Sequence, residues 1–341
     1  MSQGPAASDG PAVSEEPAVS QEPAVSQEPA VSEEPAVSQE PAVSQEPAAS
    51  QGPAASEQAA APAGIPRVAA RPARGPEGNP PPAPGGPPDL AVRLFTLASG
   101  VRAAFTGRRG GVSQPPYDSL NMSAGSGDSE NAVAHNRRLV TIACGLALDR
   151  MTWLRQVHGA DVGRVPDPAP SGAAHRPATG PAPPRDACFT SEPGLALGVL
   201  SADCPAVLLA DPEAGIIAAA HSGRPGTALG VVPALVRAMT EAGADPVRTR
   251  AVIGPAICGG CYEVPAWMRD AVAAAVPGSG CVTRAGSPGL DLRAGIAGQL
   301  AAAGVRQVRI DDRCTAEDPD LYSYRRDGRT GRFAALIWLA P

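Results

Sequence analysis

The chain has four histidines, at positions 135, 158, 175 and 221, and two of them stand where a ligand would be useful. His158 closes the run Trp153-Leu154-Arg155-Gln156-Val157 and precedes Gly159. His221 ends the apolar run 215–220 and precedes Ser222-Gly223. A histidine at a strand exit, beside a glycine, sits where sites are commonly built. Cys204, within Ser201-Ala202-Asp203-Cys204-Pro205, occupies another such exit. Two imidazoles and a thiolate make a three-ligand set with an open fourth position, the pattern of a catalytic zinc. The same donors suit copper and disfavour magnesium. Asp203, next to the thiol, could support a ligand or act as a general base. The plain alternative is a small core cysteine and two histidines that never meet.

Cys258-Gly259-Gly260-Cys261 is a rival constellation. A Cys-x-x-Cys pair is either redox-active or half of a zinc site, and no second such pair exists to complete a zinc ribbon. The seven cysteines are odd in number and irregularly spaced in a long chain, so reduced thiols are expected. His175 falls in a Pro/Ala/Gly-rich stretch and His135 beside Asn136-Arg137-Arg138, both suited to solvent. All 28 basic residues are arginine. The absence of lysine excludes a Schiff base, a lysine base and a phosphate-loop lysine. An anion must therefore be met by arginine, backbone N–H groups or a metal.

The elements that would position these residues begin near Leu90. Runs 101–105, 195–201, 206–210, 215–220, 251–254, 307–310 and 333–339 read as strands. Segments 130–147, 227–242, 264–276 and 291–303 read as helices, the first capped by Asp128 or Ser129. This mixture over residues 90–341 is α+β and of single-domain size. Residues 166–185 read as a surface insertion.

Residues 1–89 are of another kind. From about Gly4 to Glu57 the chain repeats every six residues, in units such as EPAVSQ. One valine, one proline and an acid per unit cannot bury a core, so a disordered tail and linker are expected. The net charge of −6 is unevenly spread. Residues 1–90 hold 12 acids and 3 arginines, and the remainder 22 acids and 25 arginines. The body is mildly basic without a clustered basic face, which argues against nucleic acid and suits a small anion. No apolar run approaches a membrane span and no secretory leader precedes the tail, so a cytoplasmic protein is expected.

Several motifs, in order, resemble one family. Arg108-Arg109-Gly110-Gly111-Val112-Ser113 is followed by Leu120-Asn121 and Asn136-Arg137. Gln156-Val157-His158-Gly159, Ala202-Asp203-Cys204-Pro205 and Ala220-His221-Ser222-Gly223 come next. Ile253-Gly254-Pro255-Ala256-Ile257, Cys261-Tyr262-Glu263-Val264, Cys314-Thr315, Ser323-Tyr324-Arg325-Arg326-Asp327-Gly328 and Gly331-Arg332 complete the set. The chain thus resembles the laccase-domain proteins, formerly multicopper polyphenol oxidases, among bacterial purine nucleoside phosphorylases. One departure is Gly223-Arg224-Pro225-Gly226, where the family often has Gly-Trp-Arg-Gly.

The resemblance implies a compact α+β sandwich with helices flanking β-sheets. It implies a metal, zinc or copper, on His158, Cys204 and His221. It also implies phosphorolysis of adenosine, inosine or methylthioadenosine by inorganic phosphate, with adenosine deaminase activity beside it. The residues themselves offer two candidates for phosphate: Arg108, just after a predicted strand and before Gly110-Gly111, whose bare backbone can approach a ligand closely, and Arg325 in Ser323-Tyr324-Arg325-Arg326. A multicopper laccase needs about ten histidine ligands, more than the chain contains. An amidohydrolase editing cell-wall precursors, or a single-copper oxidase-like activity, remain alternatives at the same residues.

Overall fold

A strand buried on both faces shows an unbroken apolar run instead of alternation. The segment 206–210 is such a run, buried at every position. In the computed structural model, which describes Met1 and residues 89–165 and 183–340, it lies at the centre of a four-layered body. The expected disordered tail and most of the 166–185 insertion, with His175, fall outside the described residues.

The strands are β1 (Val92–Ala98), β2 (Val101–Thr106), β3 (Met151–Trp153), β4 (Val162–Arg164), β5 (Ala187–Thr190), β6 (Ala196–Ser201), β7 (Ala206–Asp211), β8 (Ile216–His221), β9 (Arg250–Ile253), β10 (Gly280–Val282), β11 (Pro288–Leu290), β12 (Gln307–Ile310) and β13 (Phe333–Leu339). The helices are α1 (Glu130–Ala143), α2 (Arg224–Ala228), α3 (Val231–Glu241), α4 (Ala266–Ala275), α5 (Leu292–Ala302) and α6 (Tyr324–Asp327). One sheet has the order β1-β2-β13-β6-β3 and the other β12-β9-β7-β8-β5-β4; β10 and β11 form a small hairpin.

Side-chain alternation divides the core. Ala206, Leu208 and Ala210 of β7, with Ile217 and Ala219 of β8, face the first sheet, meeting Phe105, Val199 and Ile337. Val207 and Leu209, with Ala218 and Ala220, face Val232, Leu235 and Met239 of α3 and Ile296 and Leu300 of α5. Outside the first sheet, Leu336 and Trp338 pack with Leu120, Met122 and Val140, the last from α1. Deleting one such fully buried leucine side chain costs about 2–5 kcal/mol. The expected α+β sandwich flanked by helices is therefore the observed architecture.

Helix limits differ for local reasons. Ser129 caps α1, its side chain accepting from Ala132 N at 3.4 Å. The helix stops at Ala143, short of residue 147, because Gly145 takes φ +68 and its N–H donates back to Ile142 O. The expected helix 227–242 is two helices, broken where Gly230 has φ +80. No helix among the described residues is long and apolar enough to cross a membrane.

Candidate metal centre and its cavity

β7 and β8 are antiparallel neighbours with Ala206 opposite His221. That register brings the end of β8 beside the turn that leads from β6 to β7 through Cys204. The third residue arrives on a tight loop. His158 has φ +61, in the left-handed region that non-glycine residues avoid. The conformation turns three successive N–H groups inward, and all three donate to the Asp186 carboxylate. Val157 N is 3.1 Å away, His158 N 3.0 Å and Gly159 N 2.7 Å. Such a nest of amides around an anion offsets the strain at His158.

His158, Cys204 and His221 thereby converge, with their ligand atoms all within 4.8 Å of one another. Cys204 Sγ is 3.9 Å from His158 Nε2. The two imidazoles meet edge to face, their centroids 4.7 Å apart. Asp186, absent from the residues singled out in the sequence, fixes the second ring. Its Oδ1 accepts from His221 Nδ1 at 2.7 Å, which leaves Nε2 of His221 for the site. Asp186 and His221 are both buried.

Charge on these groups is strongly coupled. Burial pushes the Cys204 thiol up, but hydrogen bonds and charge from His158 and His221 outweigh it and bring it down to about 6. Burial disfavours the His221 imidazolium, yet Asp186 and Cys204 raise it to about 9. Burial also opposes the Asp186 carboxylate, while the His221 ring and the Gly159 and Val157 amides hold it below its ordinary value. The site thus favours a thiolate and surrounding positive charge. Gly223 keeps the space between the donors open. A Cβ there would stand 2.8 Å from His158 Cδ2 and 3.0 Å from Cys204 Sγ. A cradle of one soft thiolate and two imidazoles fits zinc or copper.

Asp203 has another role than the sequence suggested. Its φ of +104 is held by a closed set of hydrogen bonds. Oδ1 accepts from Thr315 Oγ1 at 2.6 Å and Ser323 Oγ at 2.7 Å, and Oδ2 accepts from Arg325 N at 2.7 Å. A carboxylate so occupied is a latch for the segment entering α6.

The trio opens into a cavity of about 820 Å³. Tyr262 and Tyr324 contribute to its walls, together with Arg137, Arg155, Arg224, Arg325 and Arg332. Among the described residues, Asp203 is the one carboxylate in the lining. Arg325 is placed where the sequence suggested, donating one N–H to Glu263 O at 2.8 Å and lying over the Tyr262 ring. Arg108 is not in the lining. Its guanidinium is taken up by Asp118 at 3.3 Å and Asp327 at 3.4 Å, and it covers Tyr322. Arg224, from the departing Gly-Arg-Pro-Gly motif, is in the wall.

Two arginines that belong to the quoted motifs but were not put forward for phosphate are distinctive. Arg137 stacks on Trp153 at 4.3 Å and donates Nε–H to Met122 O. Burial lowers it to about 10. Arg332 is also pushed down by burial and donates to Thr330 and Gly331 carbonyls. Neither pairs with a carboxylate among the described residues. The sequence signal for Arg137 was its place beside Asn136; the signal for Asp186 was a lone acid at the start of the buried run 187–190.

The chain is similar to several known proteins. A family model described as multi-copper polyphenol oxidoreductase laccase matches residues 102–340. A Streptomyces coelicolor protein named purine nucleoside phosphorylase is 50% identical over 241 residues, covering 71% of this chain and 96% of that protein. A Mycobacterium bovis protein of the same name is 46% identical over 239 residues, covering 70% and 92%. The crystal structure of YlmD from Geobacillus stearothermophilus superposes with TM-score 0.65 and 34% identity over 71% of this chain and 93% of that one.

Proposed function

Because the chain belongs to the multi-copper polyphenol oxidoreductase laccase family, we propose that it uses this cavity as a metal-dependent purine nucleoside phosphorylase. Its substrates in this reading are adenosine, inosine and methylthioadenosine, with inorganic phosphate as the second reactant and adenosine deamination as a side activity. The observation that carries the proposal is the pair Arg137 and Arg332. Each is a half-buried guanidinium that pairs with no carboxylate among the described residues and lines a cavity of nucleoside size. Such charge is compensated by a bound anion, and a guanidinium fork matches phosphate. The names of the relatives point to the same chemistry.

In phosphorolysis a phosphate oxygen bonds to C1′ of the sugar as the bond from C1′ to the base nitrogen breaks. The electron pair leaves with the base, which takes up a proton; no oxidant is consumed. The sugar passes through an oxocarbenium-like state, so an anion placed beside it stabilises it. Arg137 and Arg332 hold that anion, and Arg325, fixed at one N–H by Glu263, closes the wall beside it. The aromatic faces of Tyr262 and Tyr324 suit a purine. Held by His158, Cys204 and His221, zinc or copper supplies a Lewis acid. Asp186 keeps the His221 ring oriented for it.

The test is to incubate the purified, zinc-loaded chain with inosine, with and without phosphate. Hypoxanthine and ribose 1-phosphate are expected in equal amounts and only with phosphate. Release of hypoxanthine that ignores phosphate, or no release at all, counts against the assignment.

A further inference from the structure

Two short turns outside the cavity bring four more donors together. Cys258-Gly259-Gly260-Cys261 closes on itself, with the N–H groups of Cys261 and Tyr262 both donating to Cys258 O at 2.9 Å. Cys314-Thr315-Ala316-Glu317 does the same, with Glu317 N at 3.1 Å and Asp318 N at 2.8 Å from Cys314 O. The turns are fastened side by side. Thr315 N donates to Ala256 O at 3.2 Å, and Cys258 N donates to Cys314 Sγ at 3.4 Å. Each turn carries a donor at its first and fourth positions. The three sulfurs and the Glu317 carboxylate consequently lie within 4.8 Å of one another.

We propose that Cys258, Cys261, Cys314 and Glu317 form a second metal site, closed and four-coordinate, that takes zinc. Tetrahedral zinc with bonds of about 2.3 Å needs sulfurs about 3.8 Å apart. Donors already within 4.8 Å reach that by small side-chain rotations. Three thiolates select a soft cation over magnesium or calcium. Four protein donors leave no open position, so this site is structural where the His158 site is not.

The surroundings fit a site of excess negative charge. Three thiolates and a carboxylate exceed the charge of one divalent ion, and Arg284 lies against them. Its Nη1 is 3.2 Å from Cys261 Sγ and its Nη2 3.9 Å from Cys258 Sγ, and it pairs with Glu317. The Cys258 amide supplies a hydrogen bond to a ligand sulfur. Cys281 is a neighbour but not a donor, since its thiol points to Gly259 O at 3.4 Å. The ion would clamp the turn that carries Thr315, which holds Asp203, to the turn that leads into Tyr262 of the cavity wall. The sequence hid this pairing because the second half is Cys-x-x-Glu and not Cys-x-x-Cys.

The test counts metal and needs no turnover. Cys204→Ala removes the sulfur of the first site. That chain, kept reduced with a phosphine, loaded with zinc and desalted, is expected to retain about one zinc. Loaded with cobalt, it shows an intense sulfur-to-metal charge-transfer band. Adding Cys258→Ser and Cys314→Ser removes both. A reduced, natively folded Cys204→Ala chain that retains no zinc overturns the proposal. If Cys204→Ala does not fold, the unaltered chain is counted instead; two zincs support the site and one overturns it. Glu317→Ala, at an exposed position, is expected to weaken zinc retention at the second site more than tenfold, and unchanged retention overturns the four-donor assignment.

Discussion

Asp186 Oδ1 lies 2.7 Å from His221 Nδ1, in a carboxylate that also gathers the N–H groups of residues 157–159. One buried acid therefore sets both the tautomer of the His221 imidazole and the strained backbone at His158. Asp186→Asn keeps the shape but loses the charge, and its amide cannot accept all four donors. The expected cost is a 10–100-fold loss of zinc affinity at the trio, with roughly 2–4 kcal/mol of stability. Competition titration with a chelator and urea unfolding measure the two. Zinc affinity equal to that of the unaltered chain would separate Asp186 from the metal.

Gly223→Ala tests the space between the donors. The added methyl would meet His158 and Cys204 at 2.8 Å and 3.0 Å, so the donors must part. Zinc affinity is expected to fall by more than about tenfold while the far-ultraviolet circular dichroism is unchanged. An unaltered affinity would mean that the trio does not close around an ion.

Arg137→Ala and Arg108→Ala separate the cavity from its surroundings. The first is expected to raise the Michaelis constant for phosphate more than tenfold, about 1.4 kcal/mol. The second should change it little and lower the melting temperature instead, because Arg108 joins Asp118 to Asp327. A larger effect from Arg108 would move the phosphate out of the cavity described here.

Asp211 gives a pH dependence remote from the metal. It is fully buried and accepts N–H groups from Glu213, Ala214 and Asp245 and from the Arg248 guanidinium. Burial pushes its carboxyl up, but Asp245, Arg248 and the two turn amides hold it below the ordinary value. The unfolded chain therefore binds this proton more readily. The stabilisation is complete above the ordinary carboxyl value of about 3.9 and is lost as pH falls through the lower folded one. Asp211→Asn is expected to cost about 2 kcal/mol at neutral pH. The gap to the unaltered chain should narrow in urea unfolding as the solution is acidified below about pH 4. A gap independent of pH would deny the carboxylate its role.

Much of this body was legible because of double burial. β6, β7 and β8 are apolar over most of their length, and Cys204 and His221 stand at or near their ends, so these candidate donors could be placed at strand exits. The three-residue strands β3, β4, β10 and β11 were not legible. Segments such as Val162–Arg164 and Pro288–Leu290 have no period of their own and are strands only because a partner pairs with them. Arg108 misled for a related reason. Its glycine neighbours suggested close approach to a ligand, but Gly110 and Gly111 instead admit the backbone of residues 89–90 and 119–120. Asp186 lay at the edge of a proline-rich stretch, and only the fold reveals that residues 157–159 wrap around it.

The position of β13 has a consequence for how the chain matures. It fills the middle of its sheet, between β2 and β6, although it follows both in sequence by more than a hundred residues. During synthesis β2 and β6 must wait, unjoined, for residues 333–339 to emerge. His158, Cys204 and His221 have all left the ribosome well before then. Arg325 and Arg332 come last. The three donors are thus synthesised before the last arginines of the cavity wall. Long-range closure of this kind is also slow, which makes the interval before β13 docks the period of greatest exposure to aggregation.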